Sequence, residues 1–238
     1  MIQLSISAAT TYVRKILDEL TSVEDIGMLA SPDGVDLHKL VEGFAVEAVA
    51  KVHNAAPAIY LDGITGVDKR TKDEHDKPVE DPDYEVKFDT NYKVATITML
   101  KDTLRVISIQ SKDSEYILTE FIPEESAEGR KQLNKYTRGV PDDPRVVLQK
   151  VWSSEYQPRF KYYTLGDREI EKEEGETTTY KEQLFELAYI PYPDIEEAII
   201  MVCPKLEYHV LNEIAGMVLD ALNEHDKAAM YHKKAQEF

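Results

Sequence analysis

The sequence contains a single cysteine, Cys203, so no internal disulfide can form, and that usage fits folding in a reducing compartment. No apolar run approaches the roughly 18–20 residues that cross a bilayer. Met1 to Ala9 lacks a basic stretch followed by an apolar one, so no signal peptide is expected. Positive charge is scarce as well: 28 Lys and Arg stand against 45 Asp and Glu, a formal net charge of −17. Phosphate neutralisation by Lys and Arg dominates ordinary nucleic-acid affinity, so a chain this acidic is a poor general DNA binder. It suits anionic membrane surfaces no better. Two readings account for the acidity: solubility, or a surface that faces DNA without holding it.

Chemistry-bearing motifs are missing too. There is no Gly-rich phosphate loop, Gly-x-Ser-x-Gly elbow, His-Glu-x-x-His or Cys-x-x-Cys pair. The nearest approach to a metal cluster is Asp73-Glu74-His75-Asp76, with Glu80, Asp81 and Asp83 downstream. Consecutive residues in a Pro-flanked polar loop seldom converge on one ion, so a solvated charge run is the expected reading. His225 and His232 lie seven apart, roughly on one face of the last helix, at surface or interface positions. Cys203, between Val202 and Pro204, reads as a buried, inert thiol. The chain is therefore expected to be no enzyme and to need neither metal nor cofactor.

What is present is a globular composition: 238 residues, 42% hydrophobic, with 14 Tyr. The ends read as helices and the middle as strands, an α+β chain. Ala8, Tyr12, Ile16 and Leu20 predict one stripe of a helix over about 7–20. Ser31-Pro32-Asp33-Gly34 marks a turn. Asp36 is a candidate N-cap for a helix over 37–54 that Pro57 stops, with Leu37, Leu40, Val41, Phe44, Ala48 and Val52 on one face. Val94 to Leu100 alternates as a strand should, and Leu104–Gln110 and Tyr116–Phe121 look like its partners. Val146–Trp152, Arg159–Leu165 and Leu184–Tyr189 continue the pattern. Asp167 to Glu176 reads as a hairpin tip or loop. Pro204 opens a helix to about Asn223, and another follows from about Asp226.

These elements predict one helical unit from residues 1–56 and 203–238, an acidic exposed excursion over 57–92 and a β-rich insertion over 93–202. The helical unit would be a bundle. Its last two helices resemble one tetratricopeptide hairpin, too few to build a solenoid, which needs about three repeats.

Three features, in this order, resemble the head–tail connector proteins of tailed bacteriophages, also called adaptor, neck or ring proteins. The first is the strand pair around Thr98-Met99-Leu100-Lys101-Asp102-Thr103-Leu104-Arg105-Val106, with Lys101 where the family commonly has Pro. The second is Phe185-Glu186-Leu187-Ala188-Tyr189-Ile190-Pro191-Tyr192-Pro193, a strand leaving through Tyr and Pro. The third is the Pro-started helix from Cys203-Pro204-Lys205-Leu206 with the Ala-rich helix ending at Lys234-Ala235. The likeness spans about 94–238, and its closest flavour is the ring protein of crAss-like phages.

The resemblance implies a virion protein: a ring homo-oligomer, a dodecamer to match a portal, that docks to the portal and other neck or tail proteins. DNA would pass through its channel without specific binding, and no membrane would be involved. Assembly would take place in the host cytoplasm. Tyr208, Leu211, Tyr231 and Phe238 are the candidate interface residues, against ordinary intrachain packing. Glu171, Glu173, Glu174, Asp81 and Asp83 are the candidate exposed or lumen-facing acids. Two other classes are weighed: a soluble peptide- or protein-binding module with a tetratricopeptide-like C-terminal hairpin, and an acidic metal-dependent nuclease or phosphatase.

Overall fold

In chain order the elements begin with strand β1 (Ile2–Ser5), helices α1 (Ile6–Leu20) and α2 (Leu37–Ala55), and strand β2 (Ile64–Val67). Strands β3 (Tyr84–Asp89), β4 (Val94–Met99), β5 (Thr103–Ser111), β6 (Ile117–Leu118) and β7 (Ile122–Pro123) follow, then the short helix α3 (Ala127–Lys131). The chain continues through β8 (Arg145–Gln149), β9 (Arg159–Tyr163), β10 (Phe185–Pro191), β11 (Ile195–Glu196) and β12 (Ile199–Val202) to helices α4 (Glu207–Ala221) and α5 (His225–Ala235). This is a computed structural model, and it describes residues 1–20, 36–61, 64–67, 83–89, 94–111, 115–134, 136–140, 143–149, 157–163 and 185–238. The α+β class read from the sequence holds. The turn at 31–34 and the loop at 167–176 lie outside the described residues.

Two compact units form: residues 1–63 with 192–238, and residues 64–191. The first unit is not helical alone. Strand β1 pairs antiparallel with β12, and β12 with β11, giving a three-stranded sheet of order β1-β12-β11. Sequence reading assigned 195–202 to the insertion, whereas these strands group with the chain ends. The hairpin joining them turns at Glu197 and Ala198, both left-handed at φ 51° and 61°. Such turns usually carry Asn-Gly, so the sequence offers no turn signal here.

Helix α2 is capped as expected, with the Asp36 carboxylate accepting from the His38 N–H at 3.1 Å. Its buried stripe is Leu37, Val41, Ala45, Ala48, Val49 and Val52, while Leu40 and Phe44 are only half-buried. In α1 the buried positions are Ile6, Ala9, Val13, Ile16 and Leu17. The expected stripe through Ala8 and Tyr12 is therefore rotated: Ala8 is exposed. A helix with apolar residues on neighbouring faces leaves that choice to its packing partners.

Pro204 opens a 3-10 turn (Pro204–Leu206), and α4 ends in an αL cap at Asn223, φ 63°. There Glu224 N–H donates to Leu219 O (2.9 Å) and Asn223 N–H to Asp220 O (3.0 Å), the paired bonds that close a helix and redirect the chain into α5.

The second unit holds two sheets, of order β2-β10-β5-β6 and β3-β4-β9-β8-β7. Their inner faces share one core that includes Ile97, Met99, Phe160 and Tyr162 from one sheet and Ile109, Phe185 and Leu187 from the other. Full burial of each large apolar side chain contributes about 1.5–3 kcal/mol. Tyr84 on β3 donates its hydroxyl to Phe185 O on β10 at 2.5 Å, a polar stitch between the sheets. Strands 94–99 and 103–111, read as neighbours, are not paired: β4 lies between β3 and β9, and β5 between β10 and β6. Both strands alternate alike, so alternation alone does not choose the partner. The acidic excursion of 57–92 is also cut back, since β2 and β3 fall inside it.

Candidate interaction surface

The C-terminal hairpin is organised around a carboxylate that sequence reading missed. Glu213 on α4 is 1% exposed. Lys51 Nζ on α2 reaches its Oε1 at 2.5 Å, and His232 Nδ1 on α5 lies 3.0 Å from the same oxygen. The other ring nitrogen of His232 meets Asp220 Oδ2 at 2.9 Å, and His225 Nδ1 meets Asp220 Oδ1, also at 2.9 Å. Two histidines seven residues apart thus close on one aspartate at the end of α4. A buried acid without partners would cost several kcal/mol; one gripped by Lys51 and His232 ties three helices together.

The electrostatics follow. The Asp220 carboxyl sits below its ordinary value, first through the hydrogen bond from His225 and then through that from His232. For His232, burial pulls the pKa down, but the carboxylates of Glu213 and Asp220 outweigh it and the net shift is upward. His53, 1% exposed on α2, is pushed down to about 4 by burial. Its Nε2 accepts the Cys203 N–H at 3.2 Å.

Beside this network, Tyr12 donates to Asn212 Oδ1 (3.2 Å), and the Asn212 amide donates to Tyr208 O (2.7 Å). Burial, with Tyr208 and Tyr231 nearby, raises the Tyr12 phenol to about 12.

The four candidate interface residues divide. Tyr208 stands 55% exposed, and Leu211 is half-buried. Tyr231, 7% exposed, packs within its own chain, with Lys234 Nζ 4.5 Å above its ring. Phe238 folds back so that its ring lies 4.9 Å from His209 and 6.2 Å from Tyr60. The hairpin also exposes Met230 at 43%.

Of the candidate exposed acids, Asp83 is corrected: it is 7% exposed and its carboxylate meets Lys101 Nζ at 2.9 Å. The adjacent strand β3 draws it in, and its carbonyl accepts the Leu100 N–H. Asp81, Glu171, Glu173 and Glu174 lie outside the described residues.

Among the described residues, no three of His, Cys, Asp and Glu are grouped to hold a metal ion. In the hairpin network both ring nitrogens of His232 and Nδ1 of His225 face carboxylate oxygens, so these groups pair with one another rather than with a common centre. Cys203 is fully buried. No described helix is long and apolar enough to cross a membrane. No protein-family model matches the chain, and no curated protein matches it.

Proposed function

We propose that this chain is a non-catalytic structural subunit of a phage head–tail connector ring, docked on the portal and extending the DNA channel towards the tail. The resemblance over 94–238 motivates the reading. The observation that carries it is the exposure of large apolar side chains on both units: Tyr208 (55%) and Met230 (43%) on one, Leu133 (67%) and Tyr136 (82%) on the other. Large apolar side chains left in water are what contacts between subunits cover. Head-to-tail contacts repeated about an axis close into a ring, and twelve copies would match a portal. The net charge of −17 supplies a role for the channel, because an acidic wall repels phosphate and lets DNA slide.

Electron microscopy and sedimentation velocity of the chain, alone and mixed with the portal protein of its phage, test the reading. Rings, free or seated on the portal, support it. A chain that stays solitary beside its portal overturns it, and a solitary chain that captures peptides favours the binding-module alternative.

A further inference from the structure

Helix α5 has a thin apolar hold on its unit. Its buried side chains are Ala228, Tyr231 and Ala235. Two of these bring a single methyl group each, so apolar burial supplies little of the grip. Among the described elements α5 rests on α4 and packs on no other to a comparable extent. With 11 residues it is also short for a free helix, since isolated helices below about 12–15 residues are marginal in water. Polar contacts therefore carry a large share of its docking.

Those contacts centre on His232. Its Nδ1 lies 3.0 Å from Glu213 Oε1, an ion-pair distance without the alignment of a hydrogen bond, and its Nε2 is 2.9 Å from Asp220 Oδ2. Both carboxylates belong to α4. A neutral imidazole has one N–H and one lone pair, so one of the two contacts would then set a lone pair against a carboxylate oxygen. Both are attractive when the ring carries two protons and a positive charge. Two further charged or titratable groups face the cluster. Lys51 Nζ, from α2, meets the same Glu213 oxygen at 2.5 Å, and His225 Nδ1, from the first turn of α5, meets Asp220 Oδ1 at 2.9 Å. Burial and Lys51 oppose the charge on the ring, and the two carboxylates outweigh both. The His232 side chain is 22% exposed, so solvent reaches it.

We propose that α5 is a proton-operated latch, closed on α4 while His232 holds both ring protons and opened when the ring gives one of them to solvent. The hinge is the turn at residues 222–224, where Asn223 already stands in the left-handed region at φ 63°. Lys51 keeps its hold on Glu213 after the ring is neutral, so α2 and α4 stay together and α5 alone leaves. Opening uncovers the backbone of α4 at Gly216, against which the ring lies. The closed state is complete below the ring's ordinary 6.5 and is lost as pH climbs through its raised, closed-state value. The latch goes beyond the ring reading and does not depend on it.

Nuclear magnetic resonance of the full chain from about pH 6 to about pH 9 tests this. The Cε1–H resonance of His232 follows the ring's titration. Amide exchange, corrected for its intrinsic pH dependence, follows the protection of α5 and of α2. Expected is at least about a tenfold fall in the protection of residues 225–235 along the His232 titration, with α2 unchanged. Asp220→Asn, at a side chain 45% exposed, removes one of the two negative charges and should move the titration and the opening together to lower pH. His232→Gln should leave α5 poorly protected at every pH. Protection of α5 that stays level through the titration overturns the latch. So does an Asp220→Asn chain whose ring titration moves without the opening, or a His232→Gln chain protected like the parent. Loss of protection in α2 together with α5 overturns it as well, because the whole unit then unfolds.

Discussion

The imidazole of His232 lies flat against the backbone of Gly216, so close that a Cβ at position 216 would come within 2.7 Å of Cε1 and 2.8 Å of Nδ1. Glycine in mid-helix ordinarily costs about 0.5–1 kcal/mol relative to alanine. Here it makes room for the ring that bridges Glu213 and Asp220.

Gly216→Ala is therefore expected to destabilise the chain by about 1–3 kcal/mol, by pushing the ring off its two carboxylates. Gly43→Ala, on an exposed face of α2 with nothing within 4 Å, should stabilise by about 0.5–1 kcal/mol. Urea unfolding reads both. A Gly216→Ala/His232→Ala pair should cost less than the sum of the singles, because the clash is then gone.

Lys51→Met should cost about 1–3 kcal/mol, since Glu213 keeps only His232 as counter-charge in a site 1% exposed. Lys51→Arg should retain most of that stability. Equal unfolding midpoints for Lys51→Met and the parent would show that the grip does not matter.

Two histidines set opposite limbs of the pH profile. His53 is held down to about 4, below the ordinary 6.5, so between those values the unfolded chain binds the extra proton. Stability then rises with pH through that window, by roughly 3 kcal/mol, and is complete above 6.5. His232 is raised above 6.5, so its contribution is full below that value and is lost as pH climbs through its folded pKa. Melting temperature against pH should peak between the two limbs. His53→Gln should flatten the acid limb and His232→Gln the alkaline one.

Gly139→Ala should destabilise the β-rich unit by about 1–3 kcal/mol, because the neighbours of its Cβ are backbone atoms, Tyr163 O at 2.4 Å and Arg145 N at 2.8 Å. Leu133→Ala, on the exposed crest of the same segment, should change stability by less than about 0.5 kcal/mol. Thermal melts of the two variants side by side check the contrast.

Helix positions were legible because their signals are local. The Asp36 cap, the Pro204 start and the αL stop at Asn223 stand in the sequence where they act in the fold. Strand partners were not legible, since β4 and β5 are adjacent in sequence and alternate alike, yet a distant choice between β9 and β10 sorts them into separate sheets. The Glu197-Ala198 turn escaped notice because it uses residues that are poor in left-handed conformations. Glu213 carries no local signal of its burial, since its partners Lys51 and His232 come from distant parts of the chain. For the interface candidates, exposure separates Tyr208 from Tyr231, a difference that helical periodicity alone does not resolve.

Strand β1 and helices α1 and α2 group with residues 192–238, so segments made before the β-rich unit belong to a unit completed after it. During synthesis all the described strands of the β-rich unit are present once residue 191 has emerged, while helix α2 still awaits α4. A nascent chain halted before that point would carry an open apolar groove, a target for chaperones and proteases alike.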